Sequence, residues 1–174
     1  FDGDKVLAER YADIVPALQT MQKLAKILQK KRDQRGNIDF AGREVYFVYD
    51  GAGRVVDVKP YEHTFAHQLI EEFMIVANES VADYATELGL PFVYRVHDKP
   101  DEEKLETLMA LMKGVGIDVK HSREICSSVL QDALAKAEQT PYFNLINDVM
   151  LRTMQKAKYS TVNSGHFGLA SRRY

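Results

Sequence analysis

The sequence predicts an α+β fold, mixed and predominantly helical, with a β-hairpin and short strands. Apolar residues recur at helical spacing through most of the chain, while one segment near residue 50 alternates residue by residue. The composition is 45% hydrophobic and 28% charged over 174 residues, a globular profile with enough chain for one domain and a real core, or two small lobes.

The elements follow in order. Residues 4 to 33 carry two apolar stripes, Val6, Leu7, Tyr11, Ile14 and Val15, then Leu18, Met21, Leu24, Ala25 and Leu28. Pro16 between them either kinks the helix or opens a new one. The run KKRDQRG reads as a solvated, dipole-complementing last turn closed by Gly36, or as an RNA-contacting patch. REVYFVYD alternates, GAG turns and RVVDVKP returns, which predicts a hairpin over residues 38 to 59. A helix is predicted from about Thr64 to Leu88, stopped by Gly89 and Pro91. PFVYRVHDKP reads as a short strand and a turn. PDEEKLETLMALMKGVG is a helix with acids in its first turn and glycines at its end. GIDVK is a linker or short strand, and residues 122 to 138 are helical. TPYFNLINDVMLRTMQKAKYS is a further helix with Thr140 as N-cap and Pro141 at its first position. TVNSGHFGLASRRY is irregular.

Composition narrows function. Net charge is −2, so a polyanion would have to be held by a local patch or a metal. The single cysteine, Cys126, excludes an internal disulfide and a thiolate-rich zinc site, and it suits the reducing cytosol. Its setting, REICSSVL, reads as helix with a buried thiol. No apolar run reaches the ~18 residues a membrane span needs.

On a helical wheel, the stretch HQLIEEFMIVANESVADY separates its two adjacent acids. Leu69, Ile70, Phe73, Met74, Val76, Ala77, Ser80, Val81 and Tyr84 form the expected buried face. Glu72 falls with Gln68, Glu79 and Asp83 on the expected solvated face. Glu71 falls with His67 and Asn78, beside Ala82 and Ala85. Such a border stripe suits a hydrogen bond to a neighbouring loop, an arginine pair, or sugar hydroxyls. His67 and Glu71 also stand at metal-ligand spacing but lack a third strong ligand. Asp2 and Asp4 read as helix caps or as an acidic pair for a metal. His166 stands between glycines, where a backbone can approach a ligand. Arg172 and Arg173 are either solvated or phosphate-contacting.

Several stretches together resemble one family. They are RGNIDF before a hairpin, AHQLIEEFMIVAN, FVYRVHDKPDEEKL, LRTMQKAKYS and GHFGLASRRY. In order and spacing they resemble the RNB catalytic domain of the ribonuclease II / ribonuclease R family of 3′-to-5′ exoribonucleases, nearest to its ribonuclease R branch. The resemblance spans nearly the whole chain, most weakly residues 1 to 33 and 115 to 138. It implies that residues 1–174 are the central to C-terminal portion of one such domain, truncated at both ends.

The resemblance implies processive hydrolysis of single-stranded RNA from its 3′ end, releasing nucleoside 5′-monophosphates, in the cytoplasm. It implies two divalent metals, usually magnesium, held by clustered aspartates upstream of this chain, and an arginine in a motif just beyond Tyr174. The chain by itself is therefore expected to be inactive. Glu71 matches the family glutamate that contacts the ribose near the 3′ end, and Phe40 the aromatic clamp on a terminal base. Asn78, His166, Arg152 and Arg95 fall in matching stretches without an assigned role. The alternative is an RNA-binding regulatory relative that has lost the aspartates.

Overall fold

A computed structural model of the chain describes residues 3–40, 42, 44–119 and 126–174. Asp2 and residues 122–125 of the predicted fifth helical stretch lie outside the described residues.

Pro16 opens a helix rather than kinking one. A short α1, Lys5–Arg10, is capped by the Asp4 carboxylate, which accepts the Leu7 N–H at 3.0 Å. The long α2, Val15–Arg35, then starts with Pro16 in its first turn, where the missing N–H costs nothing. Gly36 ends it at φ 93°, a left-handed cap that glycine adopts without strain. A Cβ on Gly36 would meet the Ser128 backbone at 2.8 Å, so close packing also demands glycine here.

The hairpin forms as predicted. Strand β1, Val45–Tyr49, pairs antiparallel with β2, Val55–Pro60, with an irregularity at Val48/Tyr49. Asp50 organises the turn by accepting the Ala52 and Arg54 N–H groups. Helix α3, Phe65–Glu87, follows and ends at Leu88 and the left-handed Gly89. Strand β3, Tyr94–Val96, leads to α4, Glu102–Gly114, whose N-cap Asp101 and first-turn acids Glu102 and Glu103 match the helix dipole. Residues 116–119 form no strand, and Ile117 among them is buried in the core.

Two expectations are corrected toward the end of the chain. Helix α5, Ser127–Glu138, begins after Cys126, which is an exposed N-cap and not a buried mid-helix thiol. The stretch predicted as one helix from Thr140 divides. Thr140 closes a turn instead of capping: its hydroxyl donates to the Ala137 carbonyl and accepts the Tyr142 N–H. Helix α6 therefore runs Phe143–Thr153. Met154 then turns extended (ψ 146°), and β4, Lys158–Ser160, pairs antiparallel with β3.

The main core lies among α4, α5 and α6, where Leu108, Met112, Leu130, Ile146 and Met150 are fully buried. Ile38 joins this core and Phe40 packs at its edge, so the segment after α2 is docked against it. The Ile38 N–H also donates to the Gly168 carbonyl at 2.9 Å, tying that segment to the irregular C-terminal stretch.

Candidate functional site

Helix α3 presents the opposite face to the one its hydrophobicity predicts. Ile70, Met74, Val81 and Tyr84 are exposed, while Glu72, Ile75, Ala82 and Ala85 are buried. The reason stands on α2. Arg32, only 6% exposed, projects from the inner side of that helix toward α3. Its Nη2 lies 2.6 Å from Glu72 Oε1 and 3.3 Å from Glu71 Oε1, and its Nη1 donates to Asn37 Oδ1 at 3.2 Å. One turn on, Arg35 pairs with Glu79 at 2.9 Å. A buried carboxylate is retained when a cation meets it, and here two arginines draw the polar face of α3 inward.

Glu72 is therefore not solvated surface. It is the buried member of the acid pair, and burial raises its carboxyl above the ordinary value against the opposing pull of Arg32. In the run KKRDQRG, Lys30, Lys31, Asp33, Gln34 and Arg35 are exposed as the solvated-turn reading expects, and Arg32 alone of its cations is turned into the fold.

Glu71 is the more open acid. It faces a cleft of about 660 Å³ between α3, the segment Asn37–Phe40, the end of α6 and the C-terminal stretch. That cleft gathers residues from distant parts of the sequence: Phe40, Glu71, Arg95, Arg152 and His166 all line it. Lys156 adds a further cation, and the paired Arg32 borders the cleft. Phe40, half-buried with its inner edge on the core, presents an aromatic ring to this space. Arg95 lies with its guanidinium over the Tyr159 ring at 5.6 Å. The lining thus combines a ring for stacking, a carboxylate for a hydroxyl, and several cations for phosphates.

His166 and His97 form the cleft's rear wall, rings 5.0 Å apart. His97 Nε2 donates to the Gln155 carbonyl at 2.8 Å, and its Nδ1 accepts the Gly168 N–H at 3.0 Å, which fixes one neutral tautomer. His166 Nδ1 accepts the Leu169 N–H at 3.2 Å. Burial lowers both rings below the ordinary histidine value, His166 to about 4, where the neighbouring His97 adds to the effect. The glycines around His166 serve this packing, since a Cβ on Gly168 would press on His97 Nδ1 at 3.0 Å.

The remaining candidates are placed elsewhere. Asn78 donates to the Tyr174 hydroxyl at 2.9 Å, a tie to the last residue. His67 serves the start of α3, its Nδ1 accepting the Thr64 N–H at 3.1 Å while its Nε2 meets the Tyr61 hydroxyl at 3.1 Å. Arg173 pairs with Asp83 at 3.1 Å. Among the described residues no three His, Cys, Asp or Glu side chains gather as a metal site. The sequence reading missed Arg32, Asn37, Lys156 and His97. A signal for Arg32 was present: Arg32 and Arg35 are one helical turn apart, and Glu72 and Glu79 share one face of α3 two turns apart.

Known proteins share this chain's sequence and fold. The RNB domain matches residues 3–174. Ribonuclease R of Thermotoga maritima is 44% identical over 175 residues, covering 100% of this chain and 25% of that protein. Ribonuclease R of Aquifex aeolicus is 41% identical over 172 residues, covering 99% of this chain and 24% of that protein. Mycoplasma genitalium RNase R, solved in complex with ribose-methylated single-stranded RNA, superposes with a TM-score of 0.87 at 29% identity, over 92% of this chain and 25% of that one. The chain thus spans about a quarter of the length of each of these relatives.

Proposed function

Because the chain belongs to the RNB domain family, we propose that the whole protein is a processive 3′-to-5′ exoribonuclease. In this reading it hydrolyses single-stranded RNA from the 3′ end in the cytoplasm and releases nucleoside 5′-monophosphates. This chain supplies the part of the catalytic domain that grips the terminal nucleotides. The observation that carries the reading is the cleft itself, in which Glu71 and Phe40, more than thirty positions apart in sequence, line one cavity with Arg95, Arg152 and Lys156.

Each residue then has a task. Phe40 stacks on a base, which any sequence permits because every base has a π-face. Glu71 accepts a hydrogen bond from a ribose 2′-hydroxyl, the group that distinguishes RNA from DNA. Arg95, Arg152 and Lys156 meet phosphates and set the strand's register. The described residues do not fit a magnesium site. This reading assigns the magnesium ligands to aspartates in parts of the protein outside the chain.

The test uses the full-length protein on an oligoribonucleotide and on the same strand ending in 2′-deoxynucleotides. Glu71→Ala is expected to cut the ribose-over-deoxyribose preference in kcat/KM by about tenfold, the worth of one hydrogen bond to a charged group. Equal loss on both strands removes the ribose role. Absence of any magnesium-dependent degradation by the wild-type full-length protein, with RNA still bound, would favour the regulatory alternative.

A further inference from the structure

We infer that Arg32 is a positioning residue for RNA recognition: one buried guanidinium aims the Glu71 carboxylate and anchors the segment that carries Phe40. The inference rests on the ribose-contact reading of Glu71 and deepens it.

The argument begins with the charge balance. Glu71 at the cleft and the buried Glu72 beside it would repel each other, and Glu71 would repel a polyanionic strand. Arg32 is the nearest cation to both, at 2.6 Å from Glu72 and 3.3 Å from Glu71. The two contacts are unequal. Glu72, with its side chain 4% exposed, holds the guanidinium in place. Glu71, with its side chain 38% exposed, is held by it. Glu71 meets Arg32 through Oε1 while the residue lines the cleft, where its carboxylate can also accept from a ligand hydroxyl.

The second terminal nitrogen of the guanidinium reaches the segment that carries the other RNA-contacting candidate. Its Nη1 donates to Asn37 Oδ1 at 3.2 Å, and Asn37 is 1% exposed. Asn37 begins the docked segment that runs through Ile38 to Phe40, and the Gly168 carbonyl fixes that segment from the far side. Arg32 thus joins α2, α3 and the Phe40 segment at a single buried point. An arginine can do this because its planar fork presents several donors in fixed directions. A lysine ammonium can pair with Glu72 but cannot span Glu72, Glu71 and Asn37 in that geometry.

The test is made in the full-length enzyme with the same two strands, one all-ribose and one ending in 2′-deoxynucleotides. Arg32→Lys is expected to lower the ribose-over-deoxyribose ratio in kcat/KM by about three- to tenfold, with the protein still folded by thermal melting. The double variant Arg32→Met with Glu72→Leu removes both buried charges together, a replacement that folds tolerate better than loss of one partner. It is expected to reproduce the loss. A general loss of stability lowers turnover on both strands alike, so the ratio separates positioning from folding. Should the double variant unfold, Arg32→Lys decides alone. If Glu71→Ala lowers the ratio and a folded Arg32 variant leaves it unchanged, the positioning role is overturned while the ribose reading stands. A Glu71→Ala variant that leaves the ratio unchanged overturns both.

Discussion

Helices α6 and α3 are both amphipathic, yet they use their apolar faces in opposite ways. In α6, Ile146 and Met150 are 0% exposed against α4 and α5. In α3 the matching stripe stands open, with Ile70 at 61%, Met74 at 53%, Val81 at 53% and Tyr84 at 64% exposure. The hairpin resembles α3, with Val45, Phe47, Val56 and Val58 all exposed. Around α6 the ordinary rule applies: apolar residues meet each other and water is excluded. Along α3 an ion-pair ladder to α2 sets the orientation, and Glu72 takes the place a leucine would fill. Hydrophobic periodicity identifies a helix reliably, but the inward face depends on which partner is in reach.

That contrast can be broken by substitution. Met150→Ala is expected to cost about 2–5 kcal/mol in urea denaturation, because the surrounding core is full and a cavity remains. A cost below about 1 kcal/mol would mean that the α4–α6 core is loosely packed. Gly36→Ala is expected to cost about 3 kcal/mol, combining a left-handed backbone with a Cβ in contact with Ser128. If the variant melts with the parent, α2 and α5 do not meet as described.

Acid should act on the histidine wall next. Both rings are neutral in the folded chain, and each Nδ1 accepts a backbone N–H, so a proton there breaks a bond. The unfolded chain takes up protons near pH 6.5, whereas folded His166 resists until about 4. Stability present above pH 6.5 is therefore lost as pH falls toward 4. The melting temperature should drop between pH 6.5 and 5.5, before most carboxylates titrate, and His166→Asn should blunt that drop. An unchanged slope in the variant would count against a neutral buried His166. Smallest of all, Ile70→Ser on the open face of α3 should change stability by less than about 0.5 kcal/mol. A cost comparable to Met150→Ala would show that this face is packed.

Much of the architecture was legible in the residues. The hairpin followed from alternation around GAG, and α4 from Asp101 and its first-turn acids. The turn at Gly89 followed from backbone chemistry, whereas Pro16 left a kink and a new start both open, and the structure takes the second. What failed did so for identifiable reasons. The division after Thr153 was hidden because LRTMQKAKYS keeps helix-compatible residues, while pairing with β3, a non-local contact, draws Lys158–Ser160 into a strand. Cys126 read as buried because its flanks are helical in pattern, but it sits at the helix start. At the site, the wheel distinguished Glu71 from Glu72, and the family resemblance supplied the chemistry for Glu71 and Phe40. Neither exposed Arg32, since a basic run at a helix end ordinarily faces water and its partner lies 40 positions away.

The closing contacts of α3 carry a consequence in time. Asn78 bonds to Tyr174 across 96 positions, and Asp83 to Arg173 across 90. At roughly 5–20 residues per second, the ribosome delivers those partners about 5–20 seconds after Asn78 itself. Throughout that interval α3 can already hold α2 through Arg32, while the far wall of the cleft is still unmade. The nascent protein thus acquires its acid pair first and its finished cleft last, so a chain stalled in synthesis holds Glu71 in place before the wall that faces it.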